Sequence, residues 1–193
     1  MTYRSALLLA CSLATFVASA DTHRDTGATF TSDGRLNPPA DYREWIFLTS
    51  GLDMDYREEA GGMDHSMFDY VFVDPASYRS FLQTGLWPEG TRFAKEPRGA
   101  AEKGSINKHG KYQVGAPMAL EVHMKDSKRF SGGWGFFVFS SVSGEPARQI
   151  PTSAACYSCH QQHGAVDTTF VQFYPTLLDI ATQKRTLSPG YHP

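Results

Sequence analysis

The chain has 193 residues, 41% of them hydrophobic and 13% aromatic, and 18 Lys and Arg against 20 Asp and Glu give a formal net charge of -2. That balance argues against nucleic acid as a partner, the N-terminal apolar stretch is too short to span a bilayer with ease, and no second apolar run suggests a membrane span. The length suits one domain with a single sizeable core, and no internal repeat is present.

At the N-terminus, Arg4 precedes an apolar stretch over residues 6–17, and Ala18-Ser19-Ala20 offers a small-x-small cleavage pattern before Asp21. Residues 1–20 are therefore expected to be a cleaved signal peptide, with the mature chain periplasmic. Lipoprotein processing at Cys11, in Leu8-Leu9-Ala10-Cys11, is the alternative. Residues 21–40 are polar and carry Gly, Asp, Thr and Pro, which predicts a flexible leader that is mobile or lies over the surface. Residues 41–193 form the predicted single domain.

Asp41 is a good N-cap, and Tyr42, Trp45, Ile46 and Thr49 follow at helical spacing, so a short helix is predicted over residues 41–50. Residues 51–66 have little pattern and read as a loop. Phe68, Tyr70 and Phe72 alternate through residues 67–73 as in a strand. Asp74-Pro75 then supplies a capping carboxylate and a proline at the first helical position, Tyr78, Phe81 and Leu82 the buried stripe, and Gly85 the stop.

Further strands are predicted over residues 91–96, 111–114, 118–124 and 134–140, separated by Gly and Pro turns. The last is apolar on both faces, which predicts a central position. The short connections favour antiparallel pairing. The predicted fold class is α+β, mainly β: an antiparallel sheet with a few packing helices and a C-terminal Cys-x-x-Cys-His segment that reads as a haem c attachment site.

That last expectation rests on Cys156-Tyr157-Ser158-Cys159-His160. Two thiols at this spacing can add to the two vinyl groups of haem while the adjacent histidine reaches the iron. Loss of residues 1–20 would remove Cys11 and leave Cys156 and Cys159 as the only cysteines of the three in the chain. Other uses of the pair are a local disulfide, or half of a zinc site completed by His160 and His163. Neither accounts for export together with a histidine directly after the second cysteine. Beyond the motif, Phe170, Phe173, Tyr174, Leu177, Leu178 and Ala181 have helical spacing, with Pro175 expected to kink or interrupt the helix.

No methionine follows His160, which excludes the arrangement in which a later methionine supplies the second axial ligand. A sixth ligand would come from Met118, Met124, His109, His123, His163 or His192, and the spacing selects none of them. The alternative is an open iron that binds a small molecule.

Several blocks in order resemble the cytochrome P-460 family: DYREWIFLTSGL, FDYVFVDPASYRSFLQTGLWPEGT, LEVHMKDSKRF, WGFFVF and PTSAACYSCHQQHGAVDTTFVQFYP. The resemblance implies a largely antiparallel fold, one haem c, a five-coordinate iron with His160 proximal, and a homodimer. It also implies a covalent bond from Lys95, in GTRFAKE, to a meso carbon of the porphyrin. Strand alternation places Lys95 on one face with Phe93, and burying an unpartnered ammonium would be costly unless such a bond formed. The competing reading of Lys95 is a solvated charge on an edge strand. Pro97 departs from the family pattern and is expected to end the strand early or to alter how Lys95 enters the pocket.

Glu121 matches the family's proton-relaying carboxylate, and oxidation of a nitrogen ligand needs such a base. Its alternative is a surface carboxylate paired with Lys111 or Arg129. His123 shares the Glu121 face, Phe68 and Phe93 are candidate cavity walls, and Arg129 and His163 are candidate groups near the haem edge. The implied activity is oxidation of hydroxylamine to nitrous oxide or nitric oxide, with a periplasmic electron acceptor as partner. A nitric oxide or gas-binding protein resembling cytochrome c-prime-beta, without the cross-link, is the second reading, and electron transfer is a third.

Overall fold

A computed structural model describes residues 27–54, 56 and 66–191, so the expected signal peptide and His192 lie outside the described residues. A 3₁₀ turn, Tyr42–Glu44, leads into β1 (Ile46–Leu52), β2 (Met67–Val73), α1 (Pro75–Thr84), β3 (Arg92–Glu102), β4 (Lys111–Val114), β5 (Leu120–Lys125) and β6 (Trp134–Phe139). Then come α2 (Ala155–His163), a second 3₁₀ turn, Val171–Phe173, and α3 (Pro175–Lys184). The sheet order is β1-β2-β3-β5-β6, with β4 on the distal part of β3, and every pairing is antiparallel. The chain thus adopts the expected α+β, mainly β, fold.

The helix expected over residues 41–50 is replaced by the 3₁₀ turn and β1, which pairs with β2 from Ile46↔Val73 to Leu52↔Phe68. Ile46, Phe47 and Thr49 suit a strand. A register shift between Phe47 and Thr49 breaks the two-residue alternation and left a spacing that also fits a helix. The loop read over residues 51–66 begins inside β1, and residues 55 and 57–65 lie outside the described residues.

α1 forms as expected. Asp74 accepts a hydrogen bond from Ser77 N at 2.9 Å, and Gly85, at φ 73°, returns its N–H to Phe81 O. The second Asp74 oxygen accepts from Arg92 N at 2.9 Å and so ties the helix to β3. Leu82 is a correction, because it is exposed while Ser77 and Phe81 are the buried residues. Leu82 sits one position round the helix from the stripe that Asp74, Ser77, Tyr78 and Phe81 form.

Pro97 does not end β3. The strand runs on to Glu102, changing partner from β5, which ends its pairing at Lys95↔Glu121, to β4, which begins at Gly99↔Val114. The proline's missing donor falls in the gap between them, and its carbonyl accepts from Met118 N at 2.9 Å. β6 closes the sheet's order and is not central. Its faces are both apolar because Phe137 and Phe139 enter one core while Trp134 enters the other, and its outer edge is covered where Ile150 N bonds to Phe136 O. Pro175 starts α3 as its first residue, so the C-terminal stripe is divided between two elements rather than kinked within one.

Two cores flank the sheet. One gathers Tyr42, Trp45, Ala94, Leu120, Val122, Phe137 and Phe139, with Leu36 reaching in from the N-terminal stretch through paired hydrogen bonds to Ala147 at 2.9 Å. The other joins Val73, Phe93 and Trp134 to Phe81, Trp87, Leu177 and Ala181 from α1, α3 and the segment between α1 and β3.

Behind the sheet the Glu96 carboxylate is 2% exposed, bonded to the Tyr42 hydroxyl and Arg98 and paired with Arg43 at 2.6 Å. Burial pushes its carboxyl up, but the Tyr42 and Arg98 hydrogen bonds and the two guanidinium charges outweigh that and hold it below its ordinary value. Burial, then the Glu96 hydrogen bond, push Tyr42 up to about 12. Glu96→Gln is expected to cost roughly 2–4 kcal/mol in denaturant unfolding near neutral pH. Since the folded carboxyl titrates below the unfolded one, wild-type stability from this group is complete above the ordinary carboxylate range and is lost as pH falls through the folded value. The gap between variant and wild type should narrow there.

Candidate functional site

Register builds the site before any helix arrives. Val73, Phe93, His123 and Phe136 form one cross-strand row on the face toward α2, and Val71, Lys95, Glu121 and Val138 form the next. At strand rise the rows lie about 7 Å apart. The first row is apolar apart from His123, and the second carries a cation and an anion.

α2 carries the haem motif. Its i, i+3 spacing puts Cys156 and Cys159 on one helical face, and both thiols are free. His160 packs over the first row and the segment that follows α2, its ring centroid 4.1 Å from Phe170, 4.8 Å from Phe136 and 5.1 Å from His123. His160 Nδ1 lies 3.0 Å from the Thr168 carbonyl oxygen. A carbonyl only accepts, so Nδ1 carries the proton and Nε2 keeps its lone pair, the tautomer of a metal-ligating imidazole. Burial pushes His160 down to about 4, partly opposed by the Thr168 bond and aided by the Lys95 charge, so the ring is neutral at physiological pH.

Cys156, Cys159, His160, Lys95 and Glu121 all line one cavity of about 300 Å³, walled by Val71, Phe93, Phe136, Phe170, Phe173 and Tyr174. The structure thus places these five sequence-predicted residues in one cavity. Lys95 Nζ lies 3.0 Å from Glu121 Oε1 and 3.5 Å from Asp69 Oδ1. Burial works to lower the Lys95 pKa, but the two carboxylate charges outweigh it and hold the ammonium above its ordinary value. Lys95 is therefore not a solvated charge on an edge strand. Glu121 does not take Lys111 or Arg129 as partner, since these pair with Asp53 and Asp126.

Other candidates separate. Phe93 lines the cavity, whereas Phe68 points to the opposite face of β2 and stacks on Tyr70. Arg129 lies over the Phe30 ring and does not line the cavity, nor does His163, which is exposed. Among the proposed sixth ligands within the described residues, Met124 is in the opposite core, Met118 and His109 are exposed, and His123 lines the cavity. His123 is stacked on Phe136 and stands edge-on to His160, beside the motif histidine rather than across from it. Burial, with a smaller contribution from His160, holds its pKa well below the ordinary value, and its buried Nε2 has no hydrogen-bond partner among the described residues.

Asp69, Met54 and Tyr56 also line the cavity and were not anticipated. Asp69 was findable: alternation in β2 that sends Phe68, Tyr70 and Phe72 to one face sends Asp69 to the other. Its Oδ1 is buried and lies 3.5 Å from Lys95 Nζ.

The donor set fits haem. It offers one neutral imidazole with a free Nε2, two thiols one helical turn apart beside it, and apolar walls for a flat ring. It fits zinc poorly, because among the described residues no group of three or more His, Cys, Asp and Glu gathers as a metal site.

Gly164 guards the histidine's hydrogen bond. A Cβ there would fall 2.6 Å from His160 O, 2.7 Å from Thr169 N and 2.9 Å from Thr168 C, all of them backbone. Gly164→Ala is expected to cost about 1–3 kcal/mol in denaturant unfolding, because neither segment can yield separately, and to lower the yield of haem-loaded protein.

Among the described residues no helix is long and apolar enough to cross a membrane. No curated protein matches the chain. The family model for Cytochrome P460 matches residues 39–171, a span that begins ahead of the Tyr42–Glu44 turn, covers all six strands and the motif helix α2, and reaches Val171. With that match covering well over half of the chain, and a cavity suited to the cofactor the family implies, the protein belongs to the cytochrome P460 family of haem-binding cytochromes.

Proposed function

We propose that this is a periplasmic mono-haem c cytochrome that oxidises hydroxylamine to nitrous oxide or nitric oxide. In this reading Cys156 and Cys159 hold the haem, His160 is its proximal ligand and Lys95 is bonded to the porphyrin. The observation that carries the reading is the Lys95–Glu121–Asp69 group, with Nζ 3.0 and 3.5 Å from the two carboxylates, in the cavity that also holds both cysteines and His160.

Haem, when bound, supplies the centre that accepts electrons from a nitrogen ligand. The protein's part is proton management, since each electron taken from hydroxylamine leaves with a proton. Glu121 is the base that receives it, and Asp69 is a second carboxylate within reach of the same ammonium. A bond from Lys95 Nζ to a meso carbon would replace that carbon's C–H bond, releasing three protons and two electrons, and so needs a two-electron oxidant of the peroxide class; Glu121, 3.0 Å from Nζ, is positioned to accept a proton from the nitrogen. Phe93, Phe136, Phe170 and Tyr174 keep water from the apolar part of the cavity. The gas-binding reading fits less well, because it calls for an apolar cap where two carboxylates and a lysine stand.

Residues 1–20 serve as the export signal in this account, the electron acceptor is periplasmic, and the functional unit is a homodimer. The test is turnover of hydroxylamine with an artificial electron acceptor by protein matured in a host that attaches haem c. Oxidation to nitrous oxide or nitric oxide is expected. A protein that binds nitric oxide but never consumes hydroxylamine would move the assignment to the gas-binding class.

A further inference from the structure

The Thr168 carbonyl that meets His160 belongs to a strained turn, and the strain is held in place by a hydrogen-bond network anchored on Asp167 and Lys125, neither of which lines the cavity. Val166 and Thr169 form an isolated antiparallel bridge, with Thr169 N donating to Val166 O at 2.8 Å. The residues between them, Asp167 and Thr168, have φ of 44° and 65°. Two consecutive left-handed residues make a tight hairpin turn of the kind that glycine and asparagine favour. Threonine is β-branched and seldom adopts this conformation, so something must hold it there.

Asp167 does so. Its Oδ2 accepts from Lys125 Nζ at 2.5 Å and its Oδ1 from Trp134 Nε1 at 3.3 Å. Lys125 Nζ also donates to the Trp87 carbonyl at 2.9 Å, and the Trp87 indole N–H donates to Thr169 Oγ1 at 2.9 Å. Thr169 Oγ1 in turn donates to Val166 O at 2.5 Å. The turn is thus clamped at two of its four residues, Asp167 and Thr169, to β5, β6 and the buried Trp87. What remains free to act outward is the Thr168 carbonyl, aimed at His160 Nδ1.

We propose that Asp167, clamped by Lys125 and Trp134, is a positioning residue that fixes the Thr168 carbonyl on His160 and so sets how strongly that histidine donates to haem iron. The physical link is direct. A short, well-directed bond from Nδ1–H to a carbonyl shifts electron density toward Nε2, strengthens the iron–nitrogen bond and favours the ferric state. Loosening the turn weakens each of these, and the side chains to be substituted do not themselves line the cavity, since neither Asp167 nor Lys125 does. The inference rests on His160 being the proximal ligand.

The test compares Asp167→Ala, Asp167→Asn and Lys125→Met holoproteins by potentiometric titration and by resonance Raman of the ferrous iron–histidine stretch. Asp167→Ala and Lys125→Met are expected to show a more positive midpoint potential and a lower stretching frequency than wild type. Asp167→Asn, which can still accept from Trp134, should show a smaller shift in the same direction. Potentials and stretching frequencies equal to wild type, even with a lowered melting temperature, would reduce Asp167 to a structural role and overturn the proposal. If Asp167→Ala fails to retain haem, Lys125→Met decides by the same two readouts. A wild-type spectrum with no iron–histidine stretch would overturn the ligation by His160 itself, and the inference with it.

Discussion

Glu121→Gln is expected to slow hydroxylamine oxidation by about 10²–10⁴-fold while changing hydroxylamine affinity only a few-fold. Glutamine keeps the size of the side chain and an oxygen able to accept from Lys95 Nζ, now 3.0 Å from Glu121 Oε1. It loses the basicity that takes the proton shed by the substrate. Stability should hardly move, because the Lys95 and Glu121 side chains are 36% and 41% exposed and a pair of this exposure contributes little. Steady-state kinetics alongside a spectroscopic binding titration separates the two effects. An unchanged rate would remove Glu121 from the chemistry and leave Asp69 as the carboxylate to examine.

The second large effect is expected at Lys95, where charge and covalent bond can be tested apart. Lys95→Leu removes both, and Lys95→Arg keeps a cation beside Glu121 and Asp69 but cannot form the same bond to carbon. Both variants should retain one covalent haem through Cys156 and Cys159 and lose the long-wavelength absorption of a cross-linked porphyrin. Both should lose roughly 10²-fold or more in turnover, since the tether fixes the cofactor against Glu121 and small misplacements are costly. They should differ in stability. Leucine leaves two carboxylates facing each other, one with a buried oxygen, and arginine does not. If Lys95→Arg kept full turnover, charge rather than the bond would be the lysine's contribution.

Much of this was legible along the chain, because the decisive residues sit in elements with simple periods. Alternation in β3 correctly put Lys95 beside Phe93, and alternation in β5 put Glu121 beside His123. Asp74, Pro75 and Gly85 delimited α1 because caps act locally. What escaped depended on pairing. The β1 bulge disguised a strand as a helix, and the change of partner along β3 accommodated Pro97. Alternation in β2 put Asp69 on the face opposite Phe68, Tyr70 and Phe72, but only the register that sets β2 beside Lys95 brings it to the lysine. The Asp167-Thr168 turn carries no glycine, so nothing in its residue types announces two left-handed conformations.

The central claim is that Lys95 is bonded to a haem held by Cys156 and Cys159, and mass-spectrometric mapping of a tryptic digest of the mature holoprotein tests it most directly. The account predicts a branched species in which haem joins the Lys95 peptide to the Cys156–Cys159 peptide. An unmodified Lys95 peptide in full yield, beside haem carried by the cysteine peptide, would contradict it.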